Sequence, residues 1–359
     1  MLEKLLSHCG SGFAVSAIAL AAALSSVTPV SAQEAFHLDM PTNMSRNSYL
    51  GEMAQRMTDD IRLATGGDID LKFHEDGELI PVPEILNAVS TGAVPAAFTW
   101  TGFFGGTIPV GKYFAGTPFG PDTEVLASWI WEGGGLDILQ KGFDPIGVQI
   151  LPCAAQPRES GGYYNKEMDS LEAYQGMKIR MSGWGGEVLT KLGASVVALP
   201  GSEIYLAMER GRIDATEYAS PLLDESHKFY KLAKYYYFPG WHQSTAWNSL
   251  IINQNTWNQF SDEQKAQVTL ACRATVQRTM AETIPLQIDA LNRMKADGDF
   301  EVRKFSPELI KQIHAVWLEV LAENRAKYPL IDEAHASLQE HVKRYAPWNE
   351  LQALPAGLE

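Results

Sequence analysis

The chain has 359 residues, 45% of them hydrophobic, and its 43 Asp and Glu outweigh 29 Lys and Arg to give a formal charge of −14. That length can build two domains with cores of their own, and the acidic balance excludes the basic face that nucleic acid phosphates require. Any site for an anion must therefore supply its own local positive charge.

Residues 1–32 have the layout of a secretory signal: Lys4, an apolar run over 13–24, then Val30-Ser31-Ala32, with cleavage expected after Ala32. The run is too short to span a bilayer, and Cys9 precedes it, so Cys9 is not a lipid-carrying cysteine. The mature chain, from Gln33, is expected to be exported with no stable membrane insertion. It keeps two cysteines, Cys153 and Cys272. Two thiols do not make a disulfide framework, and the sequence leaves their pairing open. Cys153 lies on an apolar segment and reads as an inert buried thiol.

Along the mature chain, a strand over 35–40 leads into a helix ending near Gly66-Gly67, and a second strand follows at 69–73. Residues 102–120, rich in glycine, read as irregular. A helix over 123–141 and a buried strand over 146–153 come next. The stretch 176–217 alternates strand (177–181), helix (187–192), strand (195–199), helix, strand (213–216). Aromatic and β-branched residues at 235–238 and 246–252 predict two strands joined by a loop over 239–245. Ser261 and Gln264 form a capping box that opens a long helix to about Asp297. Another helix starts at Ser306-Pro307-Glu308.

Two of these stretches repeat. Glu84, Ile85, Ala88, Gly92, Val94 and Ala96 align with Glu203, Ile204, Ala207, Gly211, Ile213 and Ala215. Each copy reads strand, short amphipathic helix, glycine stop, strand, which predicts two similar α/β lobes. Ligands in open α/β sheets bind beyond the carboxyl ends of the strands, so 98–100 and 217–218 are expected to face one shared cleft. The lobes are expected to comprise 33–150 plus about 245–260, and 151–244 plus about 298–359. The helix over about 261–297 would connect them, and the strands at 146–153 and 246–252 would form the hinge.

Arg180 ends the strand 177–181, where its planar fork can hold a carboxylate through two parallel hydrogen bonds; the alternative is an arginine tied to an acidic group of its own lobe. Gly183, Gly185 and Gly186 let a helix N-terminus approach an anion, although such glycines also merely shape turns. Glu217 beside a bound anion needs a cation between them, which a hard metal ion taking carboxylate, amide and carbonyl oxygens would provide. Gln156 and Gln243 are amide oxygens of the right type. Direct pairing of Glu217 with Arg180 is the competing arrangement. Trp100, Phe103, Phe104, Trp184, Trp241 and Trp247 fall near the expected cleft, each as readily core as lining. His242 is the one histidine placed there. No G-x-S-x-G, H-E-x-x-H, P-loop or C-x-x-C motif occurs.

The segments GMKIRMSG, AMERGRIDATEYASP and YYYFPGWHQSTAWNSLIIN, with FAGTPFGPDTEV before them, resemble the periplasmic solute-binding proteins of TRAP transporters, and within them the subgroup that binds 2-oxo acids and related monocarboxylates. The resemblance covers essentially the whole mature chain. It implies a two-lobe α/β Venus-flytrap fold, each lobe a mixed sheet flanked by helices, with a long helix across both. It implies a periplasmic location, a small 2-oxo or 2-hydroxy acid as ligand, and delivery to TRAP membrane subunits. Arg180 would hold the ligand carboxylate, with Gln156, Trp100, Tyr218, Trp241 and Gln243 around it. A metal cation, sodium in preference to calcium, would sit on Gln156, Glu217, the Tyr218 carbonyl and Gln243. The chain departs from the pattern where tryptophan is expected at Tyr218 and an acidic residue at Gln243. A homodimer is compatible with the sequence. The rival reading is a periplasmic hydrolase or lyase using Glu217 as a base.

Overall fold

The computed structural model describes residues 35–353; the signal segment and its cleavage site after Ala32 lie outside them. The first part of the chain runs β1 (Phe36–Pro41), α1 (Tyr49–Ala64), β2 (Ile69–His74), α2 (Ile85–Thr91), β3 (Ala96–Trp100), α3 (Pro109–Ala115), α4 (Thr123–Glu132), α5 (Gly135–Phe143) and β4 (Val148–Gln156). It continues through β5 (Gly162–Tyr164), β6 (Lys178–Arg180), α6 (Gly183–Lys191), β7 (Ser195–Val197), α7 (Gly201–Glu209), β8 (Ala215–Thr216), α8 (Pro221–His227) and β9 (Tyr235–Phe238). The remainder is β10 (Ala246–Asn253), α9 (Gln254–Gln259), α10 (Asp262–Asp297), β11 (Glu301–Lys304), α11 (Pro307–Lys327) and α12 (Pro329–Gln352).

The strands form two lobes. In the first, β1 and β2 pair in parallel, β10 pairs antiparallel with both β3 and β4, and a parallel bridge from Thr42 to Phe98 joins the two sets in the order β2-β1-β3-β10-β4. In the second, the order is β7-β6-β8-β5-β9-β11. There β6 lies parallel between β7 and β8, and β5 is antiparallel to β8 and β9. The two orders match strand for strand, apart from the extra edge strand β11. The repeat in the sequence falls on α2–β3 and α7–β8. Its two glycines do equivalent work: Gly92 and Gly211 follow the helices with φ of 77° and 64°, a left-handed conformation that residues with a Cβ adopt only at a cost.

Several boundaries differ from the sequence reading. The glycine-rich 102–120 contains α3, because Pro109 sits at its first turn where no N–H is needed. The helix expected over 123–141 is two helices, broken at Gly133-Gly134, where Gly134 has φ of 82°. The strand expected over 146–153 runs on to Gln156, which carries that residue to the lobe boundary. Strands β5 and β11 and helix α8 carried no clear pattern in the sequence.

The lobes are stitched where the chain crosses between them. The segment after β4 and the segment between β9 and β10 bond to each other, Glu159 N–H to Gln243 C=O at 3.3 Å and Gly240 N–H to Glu159 C=O at 2.9 Å. Helix α10 opens on the expected capping box, with Ser261 and Gln264 bonded reciprocally at 2.9 and 3.1 Å. It packs on β4 and α1 of the first lobe and on α8 of the second. Arg56 clamps Glu282 at 2.8 and 3.1 Å on the first-lobe side, and Arg293 holds Glu225 at 2.7 Å on the second. Cys153 on β4 is disulfide-bonded to Cys272 on α10. The reading of Cys153 as a free inert thiol is thereby corrected: the partner is remote in sequence and only the packing of α10 on β4 brings it near. Helix α11 packs on α6, whereas α12 packs on α3, α4 and α5, with Trp129 Nε1 donating to Ser337 at 3.0 Å. The sequence placed 298–359 with the second lobe. The contacts of α12 lie with the first, so the two last helices also bridge the lobes.

Candidate ligand-binding site

The lobes enclose a cavity of about 60 Å³. A buried water needs roughly 10–15 Å³ of such space, so the cavity suits a molecule of about four to six heavy atoms. Arg180, Ser182, Glu217, Tyr218, Ala219 and Leu223 face it from the second lobe, and Asn43, Leu50, Trp100 and Phe103 from the first. Gln156, Glu159, Gln243 and Ala246 come from the crossing segments, and Asn248 from β10.

Arg180 lies at the carboxyl end of β6 and is 3% exposed. Its Nε donates to Leu199 C=O at 3.1 Å and Nη1 donates to the Glu217 carbonyl. The carboxylate Oε2 of Glu217 is 3.6 Å from Nη1, and the guanidinium carbon lies 5.2 Å from the Tyr218 ring centre. Both sequence readings are therefore partly realised: one edge of the guanidinium is tied to its own lobe. The other nitrogen, Nη2, has no hydrogen bond partner among the described residues.

Glu217 follows β8, at the end of the strand as the repeat predicts. Its Oε1 is 3.2 Å from His242 Nε2 without the alignment of a hydrogen bond, and it is buried and unpartnered. The same His242 nitrogen is 3.1 Å from Glu159 Oε2, and Gln243 Nε2 donates to Glu159 Oε1 at 3.0 Å. Burial, then the charge of Glu217, pushes the Glu159 carboxyl up to about 8. Burial works against the His242 imidazolium, yet Glu217 and Glu159 outweigh it and raise the group to about 9. Burial likewise opposes the Glu217 charge, and His242 and Arg180 reverse that, lowering its carboxyl below the usual range. Near neutral pH, Arg180 and His242 thus carry positive charge, Glu217 negative, and Glu159 a proton. The four groups sum to one positive charge, matched to one carboxylate.

Glu159, Glu217 and His242 bring donor atoms within 4.8 Å of one another, all buried. An imidazolium cannot ligate a metal, so the oxygens that fit a hard cation are the orphaned Glu217 Oε1 and the amide oxygens on the cavity wall. Gln156 ends β4 with no side-chain hydrogen bond among the described residues, so its amide is free for a ligand or cation. Gln243 also lines the cavity; its Nε2 donates to Glu159, which fixes the amide and leaves its Oε1 without a hydrogen bond among the described residues.

The structure sorts the aromatics. Trp100 and Phe103 line the cavity, edge to face at 5.1 Å, with Trp100 Nε1 anchored on Ala115 C=O at 3.1 Å. Trp241 does not line it: the ring stacks on Phe119, 2% exposed, and belongs to the core, because the loop after β9 turns His242 and Gln243 inward and Trp241 outward. Phe104, Trp184 and Trp247 are core as well. Sequence reasoning missed Glu159, Asn43, Leu50, Ser182 and Leu223. None of these carried a local signal in the sequence.

The model of the bacterial extracellular solute-binding proteins, family 7 (DctP), matches residues 40–327, and the chain belongs to that family. It is 30% identical over 315 residues to the monocarboxylate 2-oxoacid-binding periplasmic protein of Nostoc sp. (strain PCC 7120), covering 86% of this chain and 84% of that one. Among solved structures it resembles a TRAP transporter solute-binding protein of Bordetella bronchiseptica, a dimer with copurified calcium and picolinate in one active site, at a TM-score of 0.85 and 26% identity over 89% of this chain and 95% of that one. A TRAP periplasmic solute-binding protein of Colwellia psychrerythraea with bound calcium and pyruvate matches at 0.83 and 26%, over 89% and 98%. The protein is accordingly a TRAP solute-binding protein, the component that captures a small organic acid and delivers it to membrane subunits. Among the described residues no helix is long and apolar enough to cross a membrane.

Proposed function

We propose that this protein captures a small 2-oxo or 2-hydroxy monocarboxylate between its lobes, together with one metal cation, and releases it unchanged to its transporter. The observation that carries the reading is Arg180: a buried arginine lining the cavity between the lobes with one nitrogen unpaired. The ligand carboxylate would take that nitrogen. Gln156, Glu217 and the Tyr218 carbonyl would hold the cation, which would neutralise the repulsion between Glu217 and the ligand and take the oxygen beside the carboxylate. A ligand lacking that oxygen would leave a buried polar group unpaired, so it would be rejected. Relatives that bind calcium with pyruvate or picolinate support this reading, as does the relative named for 2-oxo acids.

In this proposal the first lobe is 33–156 with about 245–260 and α12, the second is 157–244 with about 298–327, and α10 connects them. Removal of a signal after Ala32 places the mature chain in the periplasm, an oxidising compartment consistent with the Cys153–Cys272 bond. The test is calorimetric titration of ligand-stripped protein with pyruvate and lactate in chelator, in sodium and in calcium, with recovery of the ligand by NMR. Micromolar binding, about −8 kcal/mol, dependent on cation and returning intact ligand, is expected. Glu217→Gln should weaken binding and abolish the cation dependence. Binding indifferent to chelator and to sodium would remove the metal, and turnover of the ligand would convert the carrier to an enzyme.

A further inference from the structure

We propose that Leu50 and Leu223 are the two leaves of a gate that sets how long a ligand tail this protein accepts, and that it therefore selects 2-oxo acids with the shortest uncharged tails. The proposal rests on the carboxylate reading above and concerns the wall that the same cavity shares with a neighbouring hollow. Asn43, Leu50, Tyr218 and Leu223 line not only the 60 Å³ cavity but also a neighbouring outer hollow of about 320 Å³. These four residues are thus the wall between the small cavity and the larger hollow.

Two of the four are occupied elsewhere. Asn43 Oδ1 accepts the Trp100 backbone N–H at 3.3 Å, and the Tyr218 ring is held between Arg180, at 5.2 Å, and His227, at 4.6 Å. Leu50 and Leu223 make no polar side-chain contact. They are 9% and 7% exposed and belong to one apolar cluster. Leu50 stands in the first turn of α1 and Leu223 near the start of α8, so each lobe contributes one leaf. A ligand with its carboxylate at Arg180 and its neighbouring oxygen at the Gln156 side turns its tail toward the apolar wall of Leu50, Ala219 and Leu223. The tail then ends at that wall.

The outer hollow is bordered by Glu75 and Asp76 of the first lobe. A tail that reached it would meet negative charge, so opening the gate should admit longer aliphatic tails and still refuse a second carboxylate. A single methylene accommodated or excluded by an apolar pocket is worth about 10- to 200-fold in discrimination.

The test is calorimetric titration of the wild type, Leu50→Ala, Leu223→Ala and the double variant with pyruvate, 2-oxohexanoate and 2-oxoglutarate, after circular dichroism has confirmed folding. Wild type should prefer pyruvate. The double variant should shift the ratio toward 2-oxohexanoate by at least about tenfold, with no gain for 2-oxoglutarate. Should an alanine variant fail to fold, Leu223→Val gives a smaller shift in the same direction. An unchanged ratio in folded variants overturns the gate, as does a wild type that binds 2-oxohexanoate as tightly as pyruvate. Should wild type bind none of the three acids, the carboxylate reading itself fails and the gate falls with it.

Discussion

The two lobes share one strand order and use it for opposite purposes. In the second lobe, the carboxyl ends of β6 and β8 carry Arg180 and Glu217; in the first, the segment after β1 and the end of β3 carry Asn43 and Trp100. The charged groups of the cavity are therefore gathered on the second lobe and the crossing segments, whereas the first lobe offers neutral amide and aromatic surface. A buried charge is costly unless its partners are fixed, and gathering Arg180, Glu217, Glu159 and His242 on neighbouring segments keeps them compensated whether or not the first lobe is closed. The first lobe contributes shape and water exclusion, which strengthen the same electrostatics only upon closure.

That division of labour can be broken most severely at Arg180. Arg180→Ala removes the charge-assisted bond from its one free nitrogen, about 1.5–3 kcal/mol, so affinity should fall about 10- to 150-fold by calorimetry. It should also lower the melting temperature, because Glu217 then keeps only one of its two buried cationic neighbours, His242. Full affinity in the alanine variant would show that the second lobe does not grip the ligand.

The disulfide tests a different asymmetry. It fastens α10 to β4 of the first lobe, while α10 holds the second lobe by Arg293 and by Gln287, whose Nε2 donates to Ser220 at 3.0 Å. For a closed loop of this size, chain entropy alone assigns about 4–5 kcal/mol to the crosslink. Cys153→Ala with Cys272→Ala should therefore lower the denaturation midpoint substantially while leaving ligand affinity nearly unchanged. A large loss of affinity in the folded variant would mean that the bond shapes the cavity.

On the first lobe, Trp100→Ala should cost less than any change at Arg180, about tenfold in affinity for 1.4 kcal/mol of lost cover. Most of it should appear as faster dissociation in stopped-flow measurements. An effect equal to that at Arg180 would contradict the contrast between gripping and covering.

The smallest effect expected is on stability against pH, and it falls on the second lobe and the crossing segments. Burial and the nearby Glu217 raise Asp224 to about 8, although Tyr236 donates to it at 2.8 Å. Glu159 is likewise raised to about 8 and His242 to about 9. A raised group favours the folded state fully below its unfolded value, and that contribution is lost as pH rises through the folded value. Burial, with the charge of Arg180, lowers His227 to about 4, so its contribution is lost as pH falls from 6.5 through 4. The melting temperature should therefore peak at mildly acidic pH and decline toward pH 9. Asp224→Asn should flatten the decline that runs from Asp224's unfolded value of 3.8 up to about 8, by about 2–4 °C per kcal/mol recovered. A decline over that range identical to wild type would exclude Asp224 as its source.

Much of this site was legible in the sequence because its residues sit where period and punctuation fix them. Arg180 and Glu217 end strands that the hydrophobic pattern and the Gly92–Gly211 repeat locate, and Gln156 needed only three more residues of strand than were expected. Trp241 failed the same reasoning, because one residue of rotation in a loop decides between core and cavity and no periodicity governs a loop. Glu159 escaped for a related reason. Its burial depends on residues 240–243 arriving from a remote part of the chain, and nothing local distinguishes it from an exposed glutamate.

The sequence by itself determined the paired α/β units, the capped long helix and the arginine at a strand end, because each follows from local period, capping and backbone conformation. Only the tertiary structure decided the Cys153–Cys272 bond, the lobe on which α12 rests, the burial of Glu159 beside His242 and the leucine pair on the cavity wall. Those depend on distances between segments far apart in the chain, and burial, pKa and cavity shape are properties of that packing.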